Sequence, residues 1–320
     1  MVLYILKRIL QIVGVLFLSS IIVFTVIRLA PGDPAIRRLG VRAKDPRLEE
    51  TLKTIREEMN IDKPIYVQYG IWLSKVVRLD FGVSYRNQEP VIDIIRRKIF
   101  PSVELVLGGV TIGVIVAMIL GISSALFHRS AWDRFVQLTS QLGYAIPVFW
   151  LGLLMIIVFS LNLKLLPPGG YVPFAENPGE NLKRLIMPSL SFAVYEIAVF
   201  TRYLRSETLE VKRQDYVRVA KSKGLSNWLV IRRHIVRNSL IPFTTVLGLE
   251  LGALIGNTVI TEQVFGWPGI GWLLFNAISN RDYALVQGIV LLIAFSFAAI
   301  NLVVDILYTF LNPRIRYIRR

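Results

Sequence analysis

Long runs of apolar residues dominate the pattern of this chain. Several of them exceed about 18 residues without a charge, the length at which a helix rising ~1.5 Å per residue can cross a hydrocarbon core of about 30 Å. We therefore predict an all-α integral membrane protein with six transmembrane helices. The predicted spans are residues 9–27, 103–127, 135–161, 185–204, 240–262 and 284–310.

A polar, amphipathic segment, residues 31–100, separates the first two spans. A proline at the first helical position, after Asp45, predicts the start of one short helix, and Pro64 predicts the start of a second. The apolar positions of these helices are Leu48, Leu52, Ile55 and Met59 in the first, and Ile65, Tyr69, Trp72 and Val76 in the second. The segment is too short for a large core of its own, so we expect it to pack against the outer mouth of the bundle.

The basic residues are distributed unevenly between the two predicted faces. The net charge is +15, and ten Lys/Arg lie between residues 202 and 237, while fourteen Lys/Arg in 31–100 are offset by ten Asp/Glu. The ends of the chain and the connection between spans 2 and 3 are also basic. The positive-inside rule then predicts cytoplasmic N- and C-termini and an external 31–100 segment. This distribution indicates a membrane protein in contact with lipid and does not indicate nucleic-acid binding.

The connection between spans 4 and 5, residues 205–239, is long, basic and helix-forming. We predict a short helix from Asp215 to Lys223, a break at Gly224, and a second helix capped by Ser226. Ordering such a loop is costly, which favours a docking role. A basic loop held against anionic lipid headgroups is the alternative, at ~1 kcal/mol for each Lys/Arg. The apolar face expected from Tyr216, Ala220, Leu225 and Trp228 favours a protein partner.

Three polar residues fall at membrane depth. Glu196 is near the middle of span 4, Glu250 is near the middle of span 5, and Asn257 lies about two turns from Glu250. A charge there costs about 2.5–3.5 kcal/mol or more on insertion scales, so each glutamate should face a cavity or a partner, or be protonated, and Asn257 could extend a polar lining. They either line a translocation path or are buried structural groups, and the sequence leaves both interpretations open.

Small residues recur every four positions in spans 2 and 5. The first series is Gly109, Gly113, Ala117 and Gly121, and the second is Gly248, Gly252 and Gly256. Such spacing lets helix backbones approach closely, either within one subunit or at an interface between subunits. Pro147 removes a backbone donor near the middle of span 3, so it should kink that helix.

Sequence motifs for catalysis or metal binding are absent. The chain has no Gly-x-x-x-x-Gly-Lys-Ser/Thr phosphate loop, no His-Glu-x-x-His signature and no Gly-x-Ser-x-Gly elbow. It has two histidines and no cysteine, so disulfides and thiol chemistry are excluded. We predict no catalytic residue, no metal and no cofactor in this chain. Energy for uphill transport must come from another subunit or from an ion gradient.

Several motifs occur in an order that resembles one family. They are Pro31-Gly32-Asp33-Pro34, Leu79-Asp80-Phe81-Gly82, Pro147-Val148-Phe149-Trp150, Leu166-Pro167-Pro168-Gly169, Phe265-Gly266-Trp267-Pro268-Gly269 and Asn280-Arg281-Asp282-Tyr283. With the 205–239 loop, these motifs resemble the permease subunits of bacterial binding-protein-dependent ABC importers, specifically the dipeptide/oligopeptide branch. Aligned on Gly224, the loop has Arg218, Val219 and Ala220 where the general importer pattern has Glu-Ala-Ala, a divergence that the peptide branch shares.

The resemblance implies a type I importer permease of the bacterial or archaeal cytoplasmic membrane. It implies a domain order of 1–30 (first helix), 31–100 (external insert) and 101–320 (five-helix permease core with the 205–239 coupling loop). The implied partners are a second homologous permease, two ABC ATPase subunits that bind ATP and Mg²⁺, and an extracytoplasmic peptide-binding protein. The residues implied to couple to the ATPase are Asp215, Tyr216, Arg218, Ala220, Lys221, Gly224, Leu225, Ser226 and Trp228.

Other functions remain open at the level of sequence. An ion-coupled secondary carrier of peptides would use Glu196 or Glu250 as a protonatable site and would need no ATPase. A permease of the same family could instead serve nickel or another non-peptide ligand. A membrane enzyme is disfavoured by the missing catalytic motifs.

Overall fold

The computed structural model describes residues 2–29, 49–58 and 62–311, with the side chains of residues 2–5, 58, 252–255, 305 and 307–311 excepted. The predicted helix start at Asp45-Pro46, together with Leu48 and Met59, lies outside these residues. The described chain is helical, and its extended pairing is confined to an isolated bridge between Val83 and Pro90. The all-α prediction is therefore confirmed for the described residues.

The helices are numbered here in chain order. They are α1 (Val2–Leu29), α2 (Glu49–Glu58), α3 (Ile65–Val76), α4 (Val91–Leu126), α5 (Ala131–Ala145), α6 (Val148–Met155), α7 (Pro178–Lys212), α8 (Asp215–Ser222), α9 (Asn227–Leu229), α10 (Arg237–Asn257), α11 (Val259–Phe265), α12 (Ile270–Ser279) and α13 (Tyr283–Leu311). Two π-helical turns, Ile156–Asn162 and Val230–Val236, continue α6 and α9.

The chain divides into two compact units, and the first comprises residues 1–100 and 269–299. Its core is a cluster of buried side chains from the start of α4, from α12 and from α13, including Val91, Ile95, Ile270 and Ile289. Buried apolar surface of this kind stabilises a unit by roughly 25 cal/mol per Å². The 84–100 segment and the residues that follow Gly269 therefore fold together although they are far apart in sequence.

Helix α3 packs against α1 within this first unit. The Tyr69 hydroxyl lies 2.8 Å from Ser20 Oγ, and the Tyr69 and Trp72 rings lie 5.4 and 5.3 Å from the Phe24 ring. Tyr69 and Trp72 thus face inward as predicted. The same prediction for Ile65 is wrong, because its side chain is 48% exposed at the first turn of the helix.

The second unit comprises residues 101–268 and 300–320, with α7 packed against several neighbours. The first small-residue series of α4 faces α7. A Cβ atom on Gly109 would lie 2.5 Å from the Phe192 ring, and one on Gly121 would lie 2.8 Å from the carbonyl oxygen of Thr201. This series therefore serves close helix packing inside the subunit, which was one of the two interpretations left open.

The second small-residue series is divided between different surroundings. A Cβ atom on Gly248 would lie 2.2 Å from the Val304 side chain, so α13 occupies the space next to this glycine. Gly256 is exposed, and the side-chain surroundings of Gly252 lie outside the described residues. Of this series, only Gly248 is thus shown to be in close intramolecular packing.

Pro147 has a larger effect than the predicted kink. Helices α5 and α6 meet at this proline with a bend of 99°. Within the described part of the chain, four helices are long and apolar enough to cross a membrane, namely α1, α4, α7 and α13, and the bent pair makes a fifth candidate. The span predicted at 240–262 is helical, but its described part does not qualify by length and composition, so the six-span count is not confirmed.

Candidate functional site

The segment between α7 and α10 contains a short helix with a well-defined end. Helix α8 begins after Gln214 and ends at Ser222, and the Gly224 backbone has a φ of +75°. The Leu225 N–H donates to the Ala220 carbonyl at 3.4 Å, and the Gly224 N–H donates to the Lys221 carbonyl at 3.0 Å. This pair of bonds is a Schellman motif, in which glycine adopts the left-handed conformation without strain. The predicted helix and break are confirmed.

The inner face of α8 is held by a small apolar cluster. Val217 and Ala220 are buried against Val211, Val230 and Ile235. The cluster fixes the short helix to the end of α7 and to the segment after Gly224. Ala220 was expected on the outward apolar face, and that placement is wrong, because its methyl group is 5% exposed and packs inward.

The outer face presents aromatic, aliphatic and basic side chains. Trp228 is 70% exposed, and Tyr216, Val219 and Leu225 are also exposed. Arg218 forms an exposed ion pair with Asp215 at 3.6 Å, which contributes little to stability. Lys221 is exposed as well. Burial raises the pKa of the Tyr216 hydroxyl, although a hydrogen bond with Asn238 opposes the shift, so this residue is neutral at physiological pH.

The chain re-enters a helical conformation immediately after the break. Ser226 Oγ accepts a hydrogen bond from the Leu229 N–H at 3.4 Å, which confirms the predicted cap. The backbone then continues through α9 and the π-helical turn into α10. Helix α8 is consequently joined to α7 by the turn at residues 213–214, and to the helical segment that leads into α10 by the four non-helical residues 223–226.

A buried ion pair that the sequence did not predict involves the part of α7 that precedes α8. Arg205 donates from Nε to Asp133 Oδ1 at 2.7 Å and from Nη2 to Asp133 Oδ2 at 2.9 Å. Asp133 also accepts from Ser124 Oγ at 2.5 Å and from the Arg129 N–H at 2.9 Å. We call this group the Asp133 clamp. A bidentate guanidinium–carboxylate pair with further donors is strong and geometrically specific.

The clamp ties α7 to the turn between α4 and α5. A second bond, from Lys212 Nζ to the Leu126 carbonyl at 3.3 Å, joins the same two regions nearer to α8. A sequence signal for this site did exist, since Asp133 is the only carboxylate between Glu104 and Glu176. A lone acidic residue in a basic connection requires a partner, and 72 residues separate it from Arg205.

The polar residues predicted at membrane depth have different environments. Glu196 is buried, with its Cβ 3.0 Å from the position of a Cβ on Gly113, and its Oε2 atom has no hydrogen-bond partner among the described residues. Glu250 is half-buried and near enough to interact electrostatically with Glu196 and Tyr195. Asn257 is exposed. The structure thus places the two glutamates in one region, and Asn257 shares no described contact with them.

The described residues contain no group of three His, Cys, Asp or Glu side chains placed to hold a metal ion.

The loop before α7 is held by hydrogen bonds to backbone atoms. Arg184 Nη1 donates to the Gly169 carbonyl at 2.6 Å, and the Gly170 N–H donates to the Phe265 carbonyl at 2.8 Å. Burial and the nearby Glu104 carboxylate raise the pKa of Tyr171 in this loop to about 12.

The chain is similar to transport proteins over nearly its whole length. It is 41% identical over 313 residues to a protein of Brucella abortus (strain 2308) that is named as a peptide transport system permease, with 98% of each chain covered. It is 36% identical over 314 residues to the glutathione transport system permease protein GsiC of Escherichia coli (strain K12), covering 98% of this chain and 99% of that protein.

A solved structure shares the fold. The inward-facing MetNI methionine ABC transporter contains a chain that superposes with a TM-score of 0.56 at 14% identity, covering 68% of this chain and 96% of that chain. Residues 109–317 match the family described as binding-protein-dependent transport system inner membrane component, and residues 1–106 match the N-terminal family of the same membrane components. The chain therefore belongs to the binding-protein-dependent transport system inner membrane components and has the fold of an ABC importer permease.

Proposed function

We propose that this chain is a membrane-spanning subunit of an ATP-driven importer that receives peptides from an extracytoplasmic binding protein. The observation that carries the proposal is the geometry of α8. A short helix with a buried inner face and an exposed aromatic and basic outer face suits docking into a groove of a partner protein. The names of the relatives support peptides as the substrate class.

The partner at α8 is, in this proposal, an ATPase subunit on the cytoplasmic side. Because only short turns separate α8 from α7 and from the helical segment that leads into α10, a displacement of α8 would pull on both α7 and α10. A second homologous permease and a second ATPase subunit would complete the assembly. ATP and Mg²⁺ would bind to the ATPase subunits, and this chain would supply no catalytic group.

The experiment compares Trp228→Ala with Tyr66→Ala in the assembled complex reconstituted into proteoliposomes. Trp228 is 70% exposed and Tyr66 is 74% exposed, but Tyr66 lies on α3 in the other unit. We expect Trp228→Ala to reduce ATP-dependent peptide uptake and ATPase co-purification about tenfold, the effect of losing an aromatic anchor, while Tyr66→Ala leaves both unchanged. Normal uptake and normal assembly with Trp228→Ala would overturn the docking role.

One observation favours a second candidate function. The Oε2 atom of the buried Glu196, which has no hydrogen-bond partner among the described residues, is the kind of group that an ion-coupled carrier protonates. The same proteoliposomes decide between the two functions. Uptake that requires ATP inside or outside the vesicles and resists a protonophore supports the importer. Uptake that occurs without ATPase subunits and that a protonophore abolishes supports the carrier.

A further inference from the structure

The first unit contains a solvent-accessible cavity that is separate from the α8 region. Its volume is about 450 Å³, which is within the range of small-ligand and anchor pockets. The turn at residues 84–87, the beginning of α4 and helix α12 surround it. The side chains that decide its chemistry are Arg86, Arg97, Lys98, Trp272 and Asp282.

The mouth of this cavity carries positive charge that the described residues do not neutralise fully. Arg97 bonds to Glu89, but neither Arg86 nor Lys98 forms an ion pair with a carboxylate in the described part of the chain. Lys98 Nζ lies 5.6 Å from the centre of the Trp272 ring, a distance that permits a cation–π contact. The local field therefore favours a negatively charged group.

The acidic residue that lines the cavity offsets this field only in part, because Arg86, Arg97 and Lys98 outnumber Asp282 and Glu89. Asp282 is buried, and its carboxylate accepts hydrogen bonds from Ser84 Oγ at 2.5 Å and from the Leu285 N–H at 3.3 Å. It thereby caps the start of α13 and is fully engaged in that structural role. Arg86 and Lys98 remain as the charges available to a visiting group.

The floor of the cavity is formed by the buried core of the first unit. Ile94, Leu273, Ala277 and Leu285 line it, and all four belong to the buried core of the first unit. A preformed pocket of this kind costs little ordering when a side chain enters it. With the Trp272 ring as one wall, the cavity has the features of a pocket that accepts an anchor side chain from a partner protein.

The position of the cavity along the chain points to an aqueous surface. Residues 105–126 contain no charged side chain and, at ~1.5 Å per residue, form a run of about 33 Å, enough to cross the hydrocarbon core. Arg97 and Lys98 precede that run and therefore lie outside it. In the topology that follows from the positive-inside rule, this end is extracytoplasmic.

We infer that this cavity is the anchor site for an acidic side chain of the extracytoplasmic binding protein. The inference rests on the proposed function, because it names where that partner binds. Arg86 is exposed and Lys98 is half-buried, so both can be reached by a surface carboxylate of a partner protein. Complementary charges at such a rim accelerate association and orient the partner.

The test measures binding of the purified, peptide-loaded binding protein to the assembled transporter in nanodiscs of neutral lipid. Arg86→Glu and Lys98→Glu reverse the charges at the mouth, and Lys98→Arg retains its charge. Arg78→Glu is the matched control, since Arg78 is an exposed cation of the same segment that does not line the cavity. Basal ATP hydrolysis and the thermal melting of the complex verify that each variant is folded.

We expect Arg86→Glu and Lys98→Glu each to raise the Kd about tenfold or more, mainly through slower association, and to weaken its dependence on NaCl concentration. Arg78→Glu and Lys98→Arg should stay within about twofold of the unchanged complex. Equal weakening by Arg78→Glu would show a diffuse charge effect and would overturn the anchor site, as would unchanged binding of both reversed variants.

Two further arms address other occupants. If the transporter binds a free tripeptide, and if both Lys98→Glu and amidation of the peptide's carboxyl end abolish that binding, the cavity is a substrate site. This result would overturn the docking inference. If anionic lipid in the nanodisc competes with the binding protein, the cavity is a site for lipid headgroups, and the docking inference is overturned as well. Failure of the unaltered transporter to bind the binding protein at all would instead overturn the proposed function, and the anchor site with it.

Discussion

Gly224 controls the direction of the chain at the end of α8. Its φ of +75° lies in the left-handed region, and apart from Gly224 and its two chain neighbours no described heavy atom is within 4 Å of the place where a Cβ would stand. The requirement for glycine at this position is therefore conformational and not a matter of space. A substitution at Gly224 therefore has a conformational cost without the cost of a steric clash. At a packed glycine these two costs are seldom separable.

We predict a graded response to substitution at Gly224. Gly224→Asn should retain most of the coupling between ATP hydrolysis and uptake, because asparagine tolerates the left-handed region, while Gly224→Val should reduce it several-fold, since a β-branched residue is strained by about 1–2 kcal/mol there. The measurement is peptide uptake per ATP hydrolysed in proteoliposomes. Equal ratios for Asn and Val would contradict the conformational argument.

The Asp133 clamp shows which residue contacts a sequence does and does not reveal. Gly224 and Ser226 act on their own neighbours, so local spacing was sufficient to predict the break and the cap. Asp133 and Arg205 meet through tertiary packing between different helices, and no periodicity connects them. Ala220 illustrates a third case: an eight-residue helix has apolar residues on two faces, and only the packed structure shows which of them is inward.

At the scale of elements, α7 and the α4–α5 turn form one connected body next to α8. The Asp133 clamp and the Lys212–Leu126 bond join them at two places. Asp133 is 2% exposed and Arg205 is 19% exposed, so removing one partner leaves a charge largely without water. Such removal typically costs about 3–5 kcal/mol.

We therefore predict that Asp133→Ala lowers the stability of the assembled complex by about 3 kcal/mol. The control is Asp93→Asn, whose ion pair with Arg96 is exposed at 4.0 Å and should contribute less than about 1 kcal/mol. Thermal melting of the complex in detergent measures both variants. Arg205→Lys retains the charge and loses the bidentate geometry, and we expect it to melt near the unaltered complex but to transport less peptide per ATP. A melting temperature for Asp133→Ala equal to that of Asp93→Asn would contradict the assigned role.

At the scale of the whole molecule, the membrane orientation connects the two proposals. The α8 region is proposed to meet an ATPase inside the cell, and the cavity near Lys98 is proposed to meet a binding protein outside. Both depend on the charge distribution along the chain, in which ten Lys/Arg lie between residues 202 and 237. The cysteine-free sequence makes the orientation directly measurable.

We predict that cysteines at Lys53 and Lys223 are labelled from opposite faces of the membrane. Both side chains are exposed, on α2 and at the end of α8 respectively, so a membrane-impermeant maleimide should reach each of them from its own side. Intact cells should give labelling at position 53 only, and inside-out vesicles should give labelling at position 223 only. Labelling of both positions from one side would contradict the proposed topology.

The π-helical turn Val230–Val236 has a consequence for the length of the chain. Val230 and Ile235 both point into the apolar cluster beneath α8, although they are five residues apart. In an α-helix, residues four apart share a face, so this turn contains one residue more than an α-helix would need. Removing the exposed Arg233 should convert the turn into regular α-helix while the flanking helices keep their directions. We expect this deletion to assemble and transport, whereas deleting Leu249 from the α-helical part of α10 should abolish both, because every residue on one side of it would rotate by about 100°.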